Sequence, residues 1–193
     1  MKLSRTVFIL SSMMLAFTSS ISAQETIELK FNPIGTLFGN INVSGEYLVS
    51  DDFGAELTVG LLFGNYGSGE IDGIEAKRSG FGVMGMGKYY FSPEDGCDKF
   101  YVGAYLRQRS FSVEARNSDD NDEYAAFDRD IFAGGFALGY KWVGEKKISL
   151  ELALGAGRAF SEKNEWSDPD NEGEAFPDLG VDFISRLAVG YRF

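Results

Sequence analysis

The sequence of 193 residues has no histidine, a single cysteine and only four prolines. Without histidine the chain lacks the commonest general base and metal ligand, which excludes Ser-His-Asp and Cys-His catalysis and His-ligated zinc or haem sites. The lone Cys97 cannot form an internal disulfide, so the fold is not cross-linked. Basic residues are also few, 18 against 29 acidic ones. Since lysine and arginine supply the affinity for phosphates, the composition argues against a nucleic-acid partner.

The residues that are abundant point to β structure. Glycine accounts for 24 of 193 residues, about 12% compared with roughly 7% in average proteins. Aromatic residues make up 15% of the chain. A composition rich in glycine and aromatics and poor in proline is typical of strands rather than of helices or disorder.

The first 23 residues have the pattern of an export signal. Lys2 and Arg5 form a positive start, residues 7–17 are apolar, and Ser22 and Ala23 are small residues suited to cleavage. The apolar run is shorter than the roughly 20 residues of a spanning helix. We therefore predict a signal peptide over residues 1–23 and one domain over residues 24–193, which carries 16 basic and 29 acidic residues.

Along the rest of the chain, apolar residues alternate with small or polar ones, which is the period of a β-strand. From Leu179 to Phe193, seven of eight alternate positions are apolar. Eight such runs are predicted, at residues 26–34, 40–50, 53–64, 79–92, 99–115, 129–143, 147–160 and 179–193. Short turns alternate with long acidic stretches, the latter at residues 65–78, 116–128 and 161–178. This favours an all-β, eight-stranded antiparallel up-and-down barrel without exposed edges.

Alternation alone does not separate a soluble barrel with an apolar interior from a membrane barrel with an apolar exterior. The positions of the aromatic residues distinguish these two kinds of barrel. One ring is predicted at the short-turn ends of the strands, formed by Phe53, Phe91, Phe100, Trp142, Tyr191 and Phe193. A second is predicted at the long-loop ends, formed by Phe63, Phe81, Phe111, Phe132 and Phe160. Two aromatic girdles separated by about 10 residues favour a transmembrane barrel.

The fifth run does not keep one parity. Phe100 and Leu106 share one face, whereas Phe111 and Val113 fall on the other. Either a β-bulge or a strand that extends beyond the bilayer would produce this switch.

The polar face of the strands carries charges of both signs among many glycines. A narrow lumen needs small residues beside large ones, and opposite charges packed inside it can pair. We expect a structural charge network in the lumen, formed by Glu46, Glu56, Lys88, Arg107, Lys141, Glu151, Asp182 and Arg186.

These features resemble the small bacterial outer-membrane barrels, such as outer membrane protein X and the transmembrane domain of outer membrane protein A. The segment at residues 29–54 is also similar to the start of an uncharacterised group of such barrels. In that family the barrel-insertion machinery recognises a terminal phenylalanine preceded by alternating apolar residues. The resemblance implies that this signal is formed here by Leu187, Val189, Tyr191 and Phe193.

Three sequence motifs are weaker. Residues 80–85 match G-x-G-x-x-G, but no helix pattern follows, so a dinucleotide site is not expected. Residues 168–173 resemble the start of a calcium loop, yet Leu179 stands where the bidentate glutamate is needed. We interpret this stretch and the acidic residues 119–123 as solvated loops with at most weak divalent-cation binding.

The sequence therefore predicts a non-enzymatic barrel of the outer membrane, without cofactor or dedicated metal site, in a structural or surface-interaction role. Its expected partners are outer-membrane lipid, the insertion machinery and an unidentified ligand of the outward loops. Two alternatives remain open. One is a soluble lipocalin-like carrier of a small ligand, and the other is a narrow ion or small-solute channel, although eight strands leave no wide aqueous pore.

Overall fold

A computed structural model describes residues 27–66, 74–117, 123–166 and 180–193. Its elements are β1 (Ile27–Phe31), α1 (Pro33–Leu37), β2 (Asn40–Leu48), β3 (Phe53–Tyr66), β4 (Ile74–Tyr90), β5 (Lys99–Asn117), β6 (Glu123–Val143), β7 (Ile148–Trp166) and β8 (Val181–Arg192). Each strand pairs with the next in the chain, and β8 pairs with β1 to close the barrel. The predicted eight-stranded up-and-down barrel is confirmed. The predicted signal peptide at residues 1–23 lies outside the described residues.

Closure depends on the shortest strand. β1 has five residues and forms antiparallel ladders on both sides, so that Leu29 lies opposite Gly45 on β2 and Tyr191 on β8. β1 thereby joins the two edges of the sheet, with residues 28–31 paired to residues 189–192 of β8. A strand structure without open edges is what a lipid environment requires.

The barrel wall has an uneven height. β4 to β7 contain 17 to 21 residues, whereas β2 has nine and β8 has twelve. The ladders are complete at the short-turn end, where Tyr90 lies opposite Tyr101 and Val143 opposite Ser149. The extra length is therefore at the opposite rim. Since a transmembrane strand needs about 9–11 residues, this rim extends beyond a bilayer.

The expected boundaries of the long connections at residues 65–78, 116–128 and 161–178 were wrong in part. β3 continues to Tyr66, β4 starts at Ile74, β6 starts at Glu123 and β7 continues to Trp166. No regular alternation of apolar and polar residues marks these extensions as strand. Backbone pairing between neighbouring strands nevertheless continues through them.

The first connection at the long rim also differs from the prediction of strand up to residue 34. β1 ends at Phe31, and the five-residue helix α1 follows. Asn32 caps this helix by accepting a hydrogen bond from the Gly35 amide at 2.9 Å, and Pro33 occupies the first turn. Both residue types are preferred at these positions. No helix in the described part of the chain is long and apolar enough to cross a membrane.

The parity switch in β5 is not caused by a bulge. The pairing of β5 with β6 is regular from Lys99 to Ala115, and the first shift comes only after Ala115. Phe111 shares the inward face with Arg109 and lines the interior cavity at the long rim. The second explanation for the switch, a strand that extends beyond the bilayer, is therefore the one that the structure supports. Phe111 is therefore not part of the outward aromatic ring, which corrects its predicted placement.

The outside of the barrel is apolar and its inside is charged. The other ten predicted ring residues are all exposed, from Phe132 at 41% to Phe160 at 63%. Between the rings, Leu57, Leu138 and Leu154 are more than half exposed. This is the arrangement of a transmembrane barrel. A soluble carrier would need these same side chains in its core.

Glycines inside the barrel make space for large side chains. A Cβ at Gly139 would overlap the ring of Tyr101, and a Cβ at Gly54 would overlap the carboxylate of Glu46. Gly82 lies opposite Arg109, where a Cβ would come within 3.3 Å of the arginine Cγ. Alternation of small and large residues is how a narrow barrel fills its interior.

Candidate functional site: the charged barrel interior

Three carboxylates and two ammonium groups meet at the centre of the lumen. Glu46, Glu56 and Glu151 each pair with both Lys30 and Lys88, and all five side chains are fully buried. The Lys88 Nζ lies 2.7 Å from Glu56 and 2.8 Å from Glu151. The five residues come from five different strands, so the contacts connect the barrel across its lumen.

Four further charged residues surround this centre. Lys141 pairs with Glu28 at 3.2 Å and with Glu46 at 3.1 Å. Arg186 pairs with Glu151 at 3.0 Å and also with Glu56. Arg192 pairs with Glu28 at 3.1 Å and donates to backbone carbonyls of the turn after β4. We call these nine residues the ion cluster, which consists of Glu28, Lys30, Glu46, Glu56, Lys88, Lys141, Glu151, Arg186 and Arg192.

Hydroxyl groups complete the coordination of the buried carboxylates. Tyr90 donates to Glu46 at 2.6 Å, Tyr101 to Glu151 at 2.7 Å and Ser149 to Glu28 at 2.6 Å. The Lys88 ammonium also lies 4.8 Å from the centre of the Tyr101 ring. Buried charges are tolerated when they are both paired and hydrogen-bonded. The ion cluster satisfies both conditions and fills the half of the lumen that lies toward the short turns.

The same three central carboxylates have the geometry of a possible metal site. One oxygen each from Glu46, Glu56 and Glu151 lies within 4.8 Å of the others. However, the ammonium groups of Lys30 and Lys88 already hydrogen-bond to these oxygens. A divalent cation would have to displace two buried lysines of like charge. The donor set therefore fits an ion-pair cluster and does not fit a metal ion.

The long-rim half of the lumen has a different composition. Asp182 accepts hydrogen bonds from Arg107, from Arg109 at 2.8 Å and from Tyr105 at 2.9 Å. Arg129 pairs with Glu162 at 2.5 Å, and the Arg78 guanidinium lies 5.0 Å from the Phe111 ring centre. We call Arg78, Arg107, Arg109 and Arg129 the arginine vestibule. They line two adjoining cavities of about 310 and 270 Å³.

All eight residues of the predicted network face the interior, but they form two groups. Six of them lie in the ion cluster, whereas Arg107 and Asp182 lie together in the vestibule half. The prediction missed Glu28, Lys30 and Arg192. The sequence did contain a pattern that marks them as inward-facing. Glu28 and Lys30 alternate with apolar neighbours, and Arg192 falls on the same face of its strand as Arg186. The first run was too short and irregular for this to be evident. That the network rigidifies the barrel stays a prediction.

The carboxyl-terminal residues lie where the predicted insertion signal needs them. Val189, Tyr191 and Phe193 are exposed on one face of the last strand, and Leu187 is partly exposed on the same face. The ring of Tyr191 packs edge-on against Phe193, with 5.0 Å between ring centres. Their recognition by insertion machinery stays a prediction.

The remaining motifs offer no further chemistry among the described residues. Residues 80–85 lie inside β4, so the G-x-G-x-x-G pattern does not open a helix. Cys97 lies in the turn after β4, where its buried thiol donates to the Ser50 carbonyl at 3.3 Å and burial raises the pKa of the thiol to about 12. Residues 168–173 lie outside the described residues, as do most of residues 119–123.

Comparison with known proteins places the fold among outer-membrane barrels. A major outer membrane protein of Thermus thermophilus superposes with a TM-score of 0.58 at 16% identity, covering 87% of this chain and 98% of that one. CarO and CarO2 of Acinetobacter baumannii give TM-scores of 0.48 and 0.43 at 10% and 9% identity, covering 88% and 87% of this chain and 98% and 97% of theirs. The resemblance to outer-membrane barrels is confirmed.

No curated protein matches the sequence. A family model described as "Protein of unknown function (DUF3575)" matches residues 7–176. This match covers most of the chain, including the signal-like apolar run and seven of the eight strands. The chain belongs to the DUF3575 family.

Proposed function

We propose that this protein is a non-enzymatic barrel of the outer membrane, exported by its signal peptide, that supports the envelope and presents acidic loops at the cell surface. Its expected partners are outer-membrane lipid, the insertion machinery during assembly, and a ligand of the loops. The proposal depends chiefly on one observation: a network of buried ion pairs fills the short-turn half of the lumen.

The location of the ion cluster argues for a closed barrel. A conducting pore needs a continuous path lined by hydrated groups, but the side chains of Lys30, Lys88, Lys141, Glu46 and Glu151 have no solvent exposure. The cross-lumen contacts join β1, β2, β4, β6 and β7, so they connect strands that are not neighbours in the wall. Such contacts support a mechanical role rather than transport.

The outer surface supports the location in a bilayer. Exposed aliphatic residues lie between the two aromatic rings, as expected of a barrel whose aromatic side chains lie near the two membrane interfaces. The long acidic connections all leave from the rim that extends beyond the bilayer. By the family resemblance, that rim is the extracellular one. Weak divalent-cation binding by these connections is part of the proposal.

Conductance in planar bilayers tests the closed barrel. Folded protein is first identified in the outer-membrane fraction by its gel mobility in SDS, which should change on boiling. We expect no conductance steps from the native protein. A variant that removes the centre of the ion cluster at constant net charge, Lys88→Ala with Glu151→Ala, should conduct. Its mobility shift on boiling verifies that it folds.

Two results would contradict the proposal. Regular conductance steps from the native protein, altered by Arg107→Gln or Arg186→Gln, would identify a narrow channel instead. A native protein found in the soluble fraction, with no change in gel mobility on boiling, would contradict the proposal that the protein is a membrane barrel.

A further inference from the structure

The arginine vestibule is an unusual concentration of one charge in an otherwise acidic protein. Arg78, Arg109 and Phe111 line both of its cavities, so the two cavities adjoin at the long rim. Arg107 lines one cavity and Arg129 the other. Among the described lining residues, only Asp182 and Glu162 carry negative charge. The four guanidinium groups thus outnumber the carboxylates that face them.

The guanidinium groups also have unused hydrogen-bonding capacity. The Nε atoms of all four arginines are buried, and none has a partner among the described residues. Arg107 and Arg109 share a single oxygen of Asp182 through one Nη each. A guanidinium carries five N–H donors. Buried donors without protein partners are rare in proteins, so these Nε groups are available to a water molecule, an ion or a ligand.

The wall around the vestibule is built to hold these side chains in place. Gly80 and Gly82 on β4 leave room opposite Phe111 and Arg109, and Arg78 stacks over the Phe111 ring. Asn32, Asn40 and Asn42 line the opposite side of the larger cavity with neutral amides. Its volume of about 310 Å³ is at the lower end of the roughly 300–1,000 Å³ typical of small-ligand pockets.

We propose that the arginine vestibule binds a small soluble polyvalent oxyanion of the phosphate class, entering from the long rim. Planar guanidinium groups bind phosphate and carboxylate oxygens through two parallel hydrogen bonds, which a point charge such as lysine does not do. The arginines line the interior cavities and therefore face away from the lipid around the barrel. A phosphate group that belongs to a membrane lipid would have to leave the bilayer to reach them.

Titration calorimetry with pyrophosphate tests the site, using the refolded full chain in a non-ionic detergent. Low ionic strength is appropriate because salt screens the attraction between the partly exposed guanidinium groups and the anion. We expect saturable binding that Arg109→Gln weakens by at least about 10-fold, since a charge-assisted bidentate contact is lost. Arg109→Lys should recover only part of the affinity. Asp182→Asn, which removes a competing carboxylate, should strengthen binding.

A matched control separates the vestibule from general attraction to arginine. Arg158 is an exposed arginine on β7 at the same rim, with the outward parity of Phe160, and Arg158→Gln should leave the affinity unchanged. All variants are first checked for the mobility shift on boiling. No binding by the native chain, or equal affinity of the native chain and Arg109→Gln, would overturn the proposal.

The source of the oxyanion is tested in lipid nanodiscs. We expect pyrophosphate to bind equally in nanodiscs of phosphatidylcholine and of phosphatidic acid. A loss of binding only in phosphatidic acid would show that lipid headgroups occupy the arginines, which would overturn the assignment to a soluble ligand. Because none of these readouts depends on conductance, the result is independent of whether the barrel is closed.

Discussion

Removing a carboxylate from the ion cluster should destabilise the barrel more than removing a lysine. The nine residues comprise five cations and four carboxylates, so the cluster has one positive charge in excess. Glu151→Gln would raise this excess to two. Lys88→Met would abolish it, while keeping an apolar chain of similar length in the lumen. The two variants therefore change the charge balance in opposite directions at directly contacting positions.

The expected magnitudes follow from the contacts. Glu151 accepts from Lys88 at 2.8 Å, from Tyr101 at 2.7 Å and from Lys30, and it pairs with Arg186 at 3.0 Å. Breaking a buried pair so that a charge is left uncompensated costs about 3–5 kcal/mol. We expect Glu151→Gln to lose about that much unfolding free energy. For Lys88→Met we expect less than about 2 kcal/mol, since the remaining four cations still match the four carboxylates.

Unfolding in urea provides the measurement, with the protein in lipid vesicles and the folded fraction taken from the faster gel band. The loss expected for Glu151→Gln corresponds to a factor of at least about 100 in the folding equilibrium. Glu145→Gln in the exposed turn between β6 and β7 serves as the control, and it should change stability by no more than about 0.5 kcal/mol. An equal or larger loss for Lys88→Met would refute the charge-balance reasoning.

Two further predictions concern the ends of the strands. Cys97 is buried and its thiol pKa is raised to about 12, so the reactive thiolate is scarce at pH 8. Maleimide should therefore label the folded protein far more slowly than the urea-unfolded protein. Equal labelling rates would contradict the burial of Cys97 in this turn. Deletion of Phe193 should lower the amount of heat-shifting barrel in the outer membrane at least several-fold, while refolding of the purified variant in detergent is retained. A normal amount of the variant in the outer membrane would contradict the prediction that Phe193 is part of an insertion signal.

Much of the fold could be predicted because a barrel wall imposes a strict rule on its sequence. Where one face meets lipid and the other meets the lumen, each strand must alternate, as from Phe53 to Phe63 and from Leu179 to Phe193. Where the strands continue past the bilayer, at Ile74–Arg78 and 123–128, the rule no longer applies. The strands persist there through backbone pairing, which leaves little trace in side-chain type.

The site was less predictable for a related reason. Parity shows that Lys88 and Asp182 face inward, but it does not show the height at which they lie or the strand across the lumen that they meet. Asp182 meets Arg107 and Arg109 because β5 and β8, which are not neighbours in the wall, approach across the lumen. The division into a neutralised ion cluster and an arginine-rich vestibule arises from these contacts across the barrel.

The amino-acid sequence by itself determined the strand number, the antiparallel order, the apolar outer face and most of the inward charges, because these depend on local alternation, on the order of turns and on the positions of the aromatic residues. Only the tertiary structure decided which charges pair, how far the rim extends and where an open cavity remains. Those features depend on strand register and on distances across the lumen. The closing contact of β8 with the five-residue β1 joins the first and last strands and is likewise encoded by no local pattern.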